Sequence, residues 1–197
     1  MTRPEAAIAI LAWVIIAAQT GLNISRDGAP LDVIWSQLRF FTFLTNITVA
    51  IVMTRAALTG QRPGASLSTA ITVWITVVML VYHALLNQGF TPDMIDFYTD
   101  HGLHTVVPVV TIGWWVMRAH KGSLGARDAA LWCLFPIAYL LYALVRGLIG
   151  GTYPYFFIDP TRDGWATVGA WVAAMTVLFF LVGCLYAYSA RLLTRKR

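Results

Sequence analysis

The run LSTAITVWITVVMLVYHALLNQ, residues 67–88, holds twenty-two positions without one Asp, Glu, Lys or Arg. At about 1.5 Å rise per residue it is long enough to cross, as a helix, the roughly 30 Å hydrocarbon core of a bilayer. Working outward from this run (Leu67–Gln88), apolar blocks at Ala6–Ile24, Leu38–Leu58, Gly102–Met117, Ala129–Gly147 and Trp165–Ala190 read the same way. The connections are brief and carry turn formers, as in Asp27-Gly28-Ala29-Pro30, Gly60-Gln61-Arg62-Pro63-Gly64, Lys121-Gly122-Ser123-Leu124-Gly125 and Gly150-Gly151. These features predict an all-α integral membrane bundle of six transmembrane helices, one multi-pass domain over residues 1–197.

Composition agrees with that reading. Of 197 residues, 58% are hydrophobic and 12% charged, about half the charge of an ordinary soluble domain. The net charge of +5 is not gathered into a patch, so nucleic acid is not an expected partner; the lipid bilayer is. Basic residues sit at helix ends and report orientation instead. With the N-terminus inside, Arg3, Arg55, Arg62, Arg118, Lys121, Arg127, Arg191, Arg195, Lys196 and Arg197 fall on the inner side. Only Arg26, Arg39, Arg146 and Arg162 fall outside. Ten against four predicts an N-in, C-in protein of the cytoplasmic (inner) cell membrane.

The opening Met1-Thr2-Arg3-Pro4-Glu5 resembles the start of a signal peptide, but the block behind it is of spanning length and reads as the first membrane helix. Cys133 and Cys184 both lie in apolar blocks and suggest no disulfide framework. Two outer loops stand out. Gly89–Asp100 carries Asp93, Asp96 and Asp100 and no basic residue; the segment Tyr153-Pro154-Tyr155-Phe156-Phe157 is strongly aromatic. Interface anchoring explains the aromatic loop, and a lid over a lipid chain is the sharper alternative.

Polar groups inside lipid are costly and usually face the bundle interior. The second predicted helix opens Arg39-Phe40-Phe41-Thr42-Phe43-Leu44-Thr45-Asn46, with Thr42 and Asn46 on one face. A membrane threonine commonly bonds back to a carbonyl one turn earlier, so Thr42 alone indicates nothing more. The fourth opens Asp100-His101-Gly102-Leu103-His104-Thr105-Val106-Val107-Pro108, with His101 and His104 three apart. Pro108 has no N–H for the His104 carbonyl, which predicts a free acceptor and a kink there. His83 and Asn87 lie near the outer end of the third helix, Arg146 near that of the fifth. Orientation brings Thr42, His83, His104 and Arg146 to one shallow outer layer, although snorkelling alone accounts for Arg146.

Two chemistries fit this layer. In one, His104 is general base to the Thr42 hydroxyl, and Asn46, His83, Asn87, His101 or Arg146 bind substrate or stabilise an oxyanion. In the other, His83, His101 and His104 with Asp100 ligate a metal or haem. H-x-x-H alone is a weak signal, and with four histidines in all and His120 on the opposite side the metal reading ranks second. A non-catalytic lipid-binding or transport protein is the alternative from another class. No P-loop, dinucleotide, G-x-S-x-G or H-E-x-x-H fingerprint is present.

Phe41-Thr42-Phe43, His101-Gly102-Leu103-His104-Thr105 with Pro108, and Tyr153-Pro154-Tyr155-Phe156-Phe157-Ile158-Asp159 occur here in this order and spacing. In these motifs the chain resembles the androgen-induced-protein family of six-pass membrane proteins, which includes the androgen-dependent regulator of tissue factor pathway inhibitor. The resemblance covers essentially the whole chain, although each motif is short. It implies a threonine hydrolase of fatty acid esters of hydroxy fatty acids, needing no cofactor or metal. Thr42 and His104 match the family's catalytic pair, and His101 is the neighbour of the base. Arg146 and the Gly-rich approach to the aromatic loop depart from the animal members. The shorter loops suggest a bacterial relative.

Overall fold

The computed structural model describes residues 3–87, 89–92 and 94–195. Met1, Thr2, Gln88, Asp93, Lys196 and Arg197, which enter the predicted spans, loops and charge count, lie outside the described residues. Every regular element among the described residues is helical. Five helices there are long and apolar enough to cross a membrane: Pro4–Asp27, Phe41–Thr59, Ala65–Leu86, Ala126–Gly150 and Pro160–Thr194. The chain divides into two compact units, Met1–Gly122 and Ser123–Arg197.

In the first unit, α1 (Arg3–Asp27) lies along α3 (Phe41–Thr59), its principal partner. Ala12 of α1 and Val49, Ala50 and Met53 of α3 are fully buried; alanines allow helices to approach closely where lipid offers no hydrophobic drive. Between them runs α2 (Pro30–Gln37), which the apolar-block reading leaves as a connection. Pro30 at its start is pre-set for helix. Eight residues are too few for a spanning block, which is why this helix goes unseen in the sequence.

Helix α4 (Ala65–Val81) packs on α3 and on α6 (Val107–Arg118). It continues without a break into a π-helical segment, Tyr82–Leu86. The predicted fourth span, Gly102–Met117, is differently built. The helical course starts earlier as α5 (Ile95–His101), passes through a second π-helical segment, Gly102–Val106, and ends as α6. Asp96 and Asp100 keep α5 out of an apolar block, yet an acid in a helix's first turn, as Asp96 is, favours the helix through its dipole.

The opposite end of this unit is held by polar contacts within apolar surroundings. The Trp114 indole N–H donates to Glu5 Oε1 at 2.8 Å, and Arg62 Nε lies 3.4 Å from the same oxygen. Lys121 donates to the Trp115, Val116 and Ala119 carbonyls and so caps α6.

The second unit contains α7 (Ala126–Trp132), α8 (Leu134–Gly150), a 3₁₀ turn at Phe156–Ile158, and α9 (Pro160–Arg195). Asp128 accepts from the Gly125 N–H at 2.9 Å and caps α7. Gly164 has φ 78°, a left-handed conformation that separates a single turn from the long apolar helix beginning at Trp165. In the aromatic loop Tyr155 stacks on Phe157 at 5.1 Å, and Phe157 meets Trp171 at 5.6 Å. Asp159, which follows, accepts from the Thr161 hydroxyl at 2.6 Å and its N–H at 2.9 Å. The Thr161 hydroxyl is the main cause holding this carboxyl below the usual carboxylate range.

Candidate active site

Helix α3 starts after Phe40, whose extended backbone (φ −91°, ψ 133°) turns the chain out of α2. Thr42 therefore sits in the first helical turn, where the dipole favours negative charge. Its hydroxyl departs from the habit of its neighbours. Thr48, Thr54, Thr69, Thr72 and Thr76 each bond back to the carbonyl four residues earlier. The Thr42 Oγ1 instead lies 3.1 Å from His104 Nε2.

The direction of that bond follows from the other ring nitrogen. His104 Nδ1 is 2.9 Å from the Asp100 carbonyl and 3.0 Å from Asp100 Oδ1. Both are acceptors, so Nδ1 carries the hydrogen, Nε2 has a lone pair, and the Thr42 hydroxyl donates to it. On its ring face His104 stacks with Tyr82 at a centroid distance of 4.1 Å and an interplanar angle of 14°. The Tyr82 hydroxyl in turn donates to Asp100 Oδ2.

The segment carrying His104 is held on two further sides. Asn46, fully buried, donates through Nδ2 to the Thr42 carbonyl at 2.8 Å and to the Leu103 carbonyl at 3.2 Å. It therefore clamps α3 to the π-helical segment, and its amide hydrogens are committed to backbone. Gly102 faces α1: a Cβ there would lie 2.8 Å from Ile15 Cγ2. Only a residue without a side chain allows that approach. On the same side of the unit, Arg26 forms a bidentate pair with Asp96, at 2.7 and 2.9 Å, tying α1 to α5.

The remaining predicted residues are placed as follows. His83 Nε2 is 3.0 Å from Thr105 Oγ1, and its ring meets Tyr82 edge-on at 5.0 Å. His101 Nδ1 is 3.1 Å from the Phe97 carbonyl, with its ring stacked on Phe97. Asn87 Oδ1 accepts from the Gly89 N–H at 2.9 Å. Arg146 belongs to the second unit, where it donates to the Tyr142 hydroxyl at 2.7 Å. Among the described residues no three histidine, cysteine or acidic side chains are grouped to hold a metal. The two nitrogens of His104 point at different partners, Thr42 and Asp100, rather than at a common centre.

Two members of this cluster were missed from the sequence as orienting groups. Asp100 stands four residues before His104, the spacing at which helical side chains meet; that signal is visible only if the helix starts before Gly102. Tyr82 offers no signal, since its ring reads as core. Compared with protein-family models, curated proteins and solved structures, the chain matches none.

Proposed function

We propose that this protein is an intramembrane hydrolase of lipid esters, with Thr42 as nucleophile and His104 as general base. The observation that carries the reading is the 3.1 Å contact between Thr42 Oγ1 and an imidazole nitrogen whose partner nitrogen is held by Asp100. A hydroxyl is a weak nucleophile until an adjacent base takes its proton, and this contact is within reach for that transfer.

The steps balance as in other acyl transfers. Thr42 Oγ attacks the ester carbonyl carbon and its proton passes to Nε2. Collapse of the tetrahedral intermediate expels the alcohol, which leaves with that proton. Water then attacks the threonyl ester, again giving a proton to Nε2, and the free acid departs as Thr42 regains its hydrogen. Negative charge on the intermediate develops at the first turn of α3, where the helix dipole favours it.

The proposal includes six membrane crossings with both ends inside. The sixth is the composite run Ile95–Arg118, whose own π-helical segment, residues 102–106, carries His104; the other π-helical segment, residues 82–86, carries His83. Such segments recur at functional sites. On this topology the ester is cleaved near the outer leaflet of the cytoplasmic membrane, with acyl chains among the apolar helices. Fatty acid esters of hydroxy fatty acids are the substrate class to try first, following the resemblance of the Thr42 and His104 motifs.

The test is labelling of the detergent-purified protein with a fluorophosphonate probe, alongside turnover of such esters. Thr42→Ala and His104→Ala are expected to lose both while keeping the helical signal of the parent. Labelling and turnover unchanged in both variants would remove the assignment.

A further inference from the structure

The geometry points to Tyr82 and Asp100 as one positioning unit for the His104 imidazole. The inference rests on the hydrolase reading for its catalytic consequence, although its structural content stands apart. A single pair of side chains grips the ring twice. Asp100 Oδ1 stands 3.0 Å from Nδ1, beside the Asp100 backbone carbonyl that accepts the Nδ1 hydrogen at 2.9 Å, and Tyr82 lies against the ring face at 4.1 Å. The pair is itself joined, because the Tyr82 hydroxyl donates to the second oxygen of the same carboxylate. Tyr82 is buried, 2% exposed, and anchored on the segment that continues α4.

A stack alone leaves an imidazole free to turn in its plane, and a hydrogen bond alone leaves it free to swing about that bond. Together they fix the plane and the tautomer, and so aim the Nε2 lone pair at Thr42. When His104 becomes positively charged during the reaction, Asp100 faces the charge directly. The Tyr82 donor draws on the same carboxylate and moderates that pull. This is the third-group role that orients the base in hydroxyl–imidazole catalysis, here shared between an acid and a phenol.

Among the described residues, other ionisable groups near His104 are few. His83 comes from the Tyr82 segment, 5.0 Å from the Tyr82 ring, and His101 from its own helical course, 6.0 Å from that ring. Asp96, on α5, is paired with Arg26 of α1. From α3 the neighbours are Thr42 and Asn46, neither ionisable.

Two measurements test the unit. The first is the pH dependence of ester turnover. Asp100→Asn removes the charge that stabilises the imidazolium, so the acid limb is expected to move to lower pH. With it, kcat should fall by about 10²–10⁴-fold at little change in KM. Tyr82→Phe keeps the stack but frees the carboxylate from its donor. Its acid limb is expected to move the other way, with kcat about tenfold lower. Unchanged limbs and kcat in both variants overturn the inference.

The second measurement needs no turnover. Nitrogen NMR of ¹⁵N-histidine protein in detergent, with His104 assigned through His104→Gln, is expected to show one tautomer, protonated at Nδ1. An Nε2-protonated or mixed ring in the parent protein overturns the positioning unit. A pinned Nδ1–H ring that becomes mixed in Asp100→Ala, in a protein that cleaves no ester, retains the unit and removes the hydrolase reading; a ring equally pinned in Asp100→Ala leaves the tautomer to the backbone carbonyl alone and overturns the unit.

Discussion

Asn46 shows how one buried amide can hold two helices together at the Thr42–His104 contact. Its Nδ2 reaches two backbone carbonyls, that of Thr42 itself and that of Leu103, the neighbour of His104. Asn46→Ala removes one donor from each of two buried carbonyls, the Thr42 carbonyl keeping its bond within α3. A buried acceptor without its partner costs about 1–3 kcal/mol in water-soluble proteins, and intramembrane hydrogen bonds average nearer about 0.6 kcal/mol. Two lost bonds at one residue bring the expected loss to about 1 kcal/mol, measured by thermal unfolding in detergent. Thr48→Ala, which removes a single back-bond within one helix, is the comparison expected to change less. The sequence already puts Asn46 on the same helix face as Thr42. That it grips the Leu103 carbonyl, 57 positions away, is a matter of how two helices meet.

Between elements, the close approach of α1 to the π-helical segment decides where His104 sits. Gly102 is two residues before His104, and a Cβ there would be 2.8, 3.1 and 3.2 Å from three carbons of Ile15. Ile15 is β-branched and stiff, so it cannot swing aside easily. Gly102→Ala is therefore expected to cost about 1–3 kcal/mol, as overpacking does, and, on the proposed function, to weaken fluorophosphonate labelling by moving His104 away from Thr42. Shortening the opposing side chain in the double variant Gly102→Ala, Ile15→Ala should recover labelling. A double variant as poor as the single one would show that the contact is not the cause.

The fourth helical course illustrates what a block reading misses at this scale. Pro108 predicts a disturbance beside His104, and a π-helical segment ends just before it. The start of the course at Ile95, rather than Gly102, is hidden because acidic residues interrupt the apolar run. With that start moved, Asp100 passes from a loop residue to a helical neighbour of His104, and its orienting contact becomes readable.

For the molecule as a whole, charge along the chain carries the orientation. If ten of fourteen basic residues mark the inner side, a C-terminal green fluorescent protein fusion is expected to fluoresce, and a C-terminal alkaline phosphatase fusion to stay inactive. The reverse pair of results would invert the topology and move the Thr42–His104 site to the inner leaflet.

What the sequence by itself determines is the class of protein. Spanning length, the scarcity of charge and the asymmetry of Lys and Arg are sums along the chain, and lipid responds to such sums without reference to packing. Five long apolar helices follow from them. The tertiary structure alone decides the site. Thr42 and His104 are 62 positions apart, and whether two such side chains meet depends on helix phase, which the π-helical segments shift, and on how closely α1, α3 and that segment pack. The same dependence brings in Tyr82, whose ring has no polar pattern to announce it.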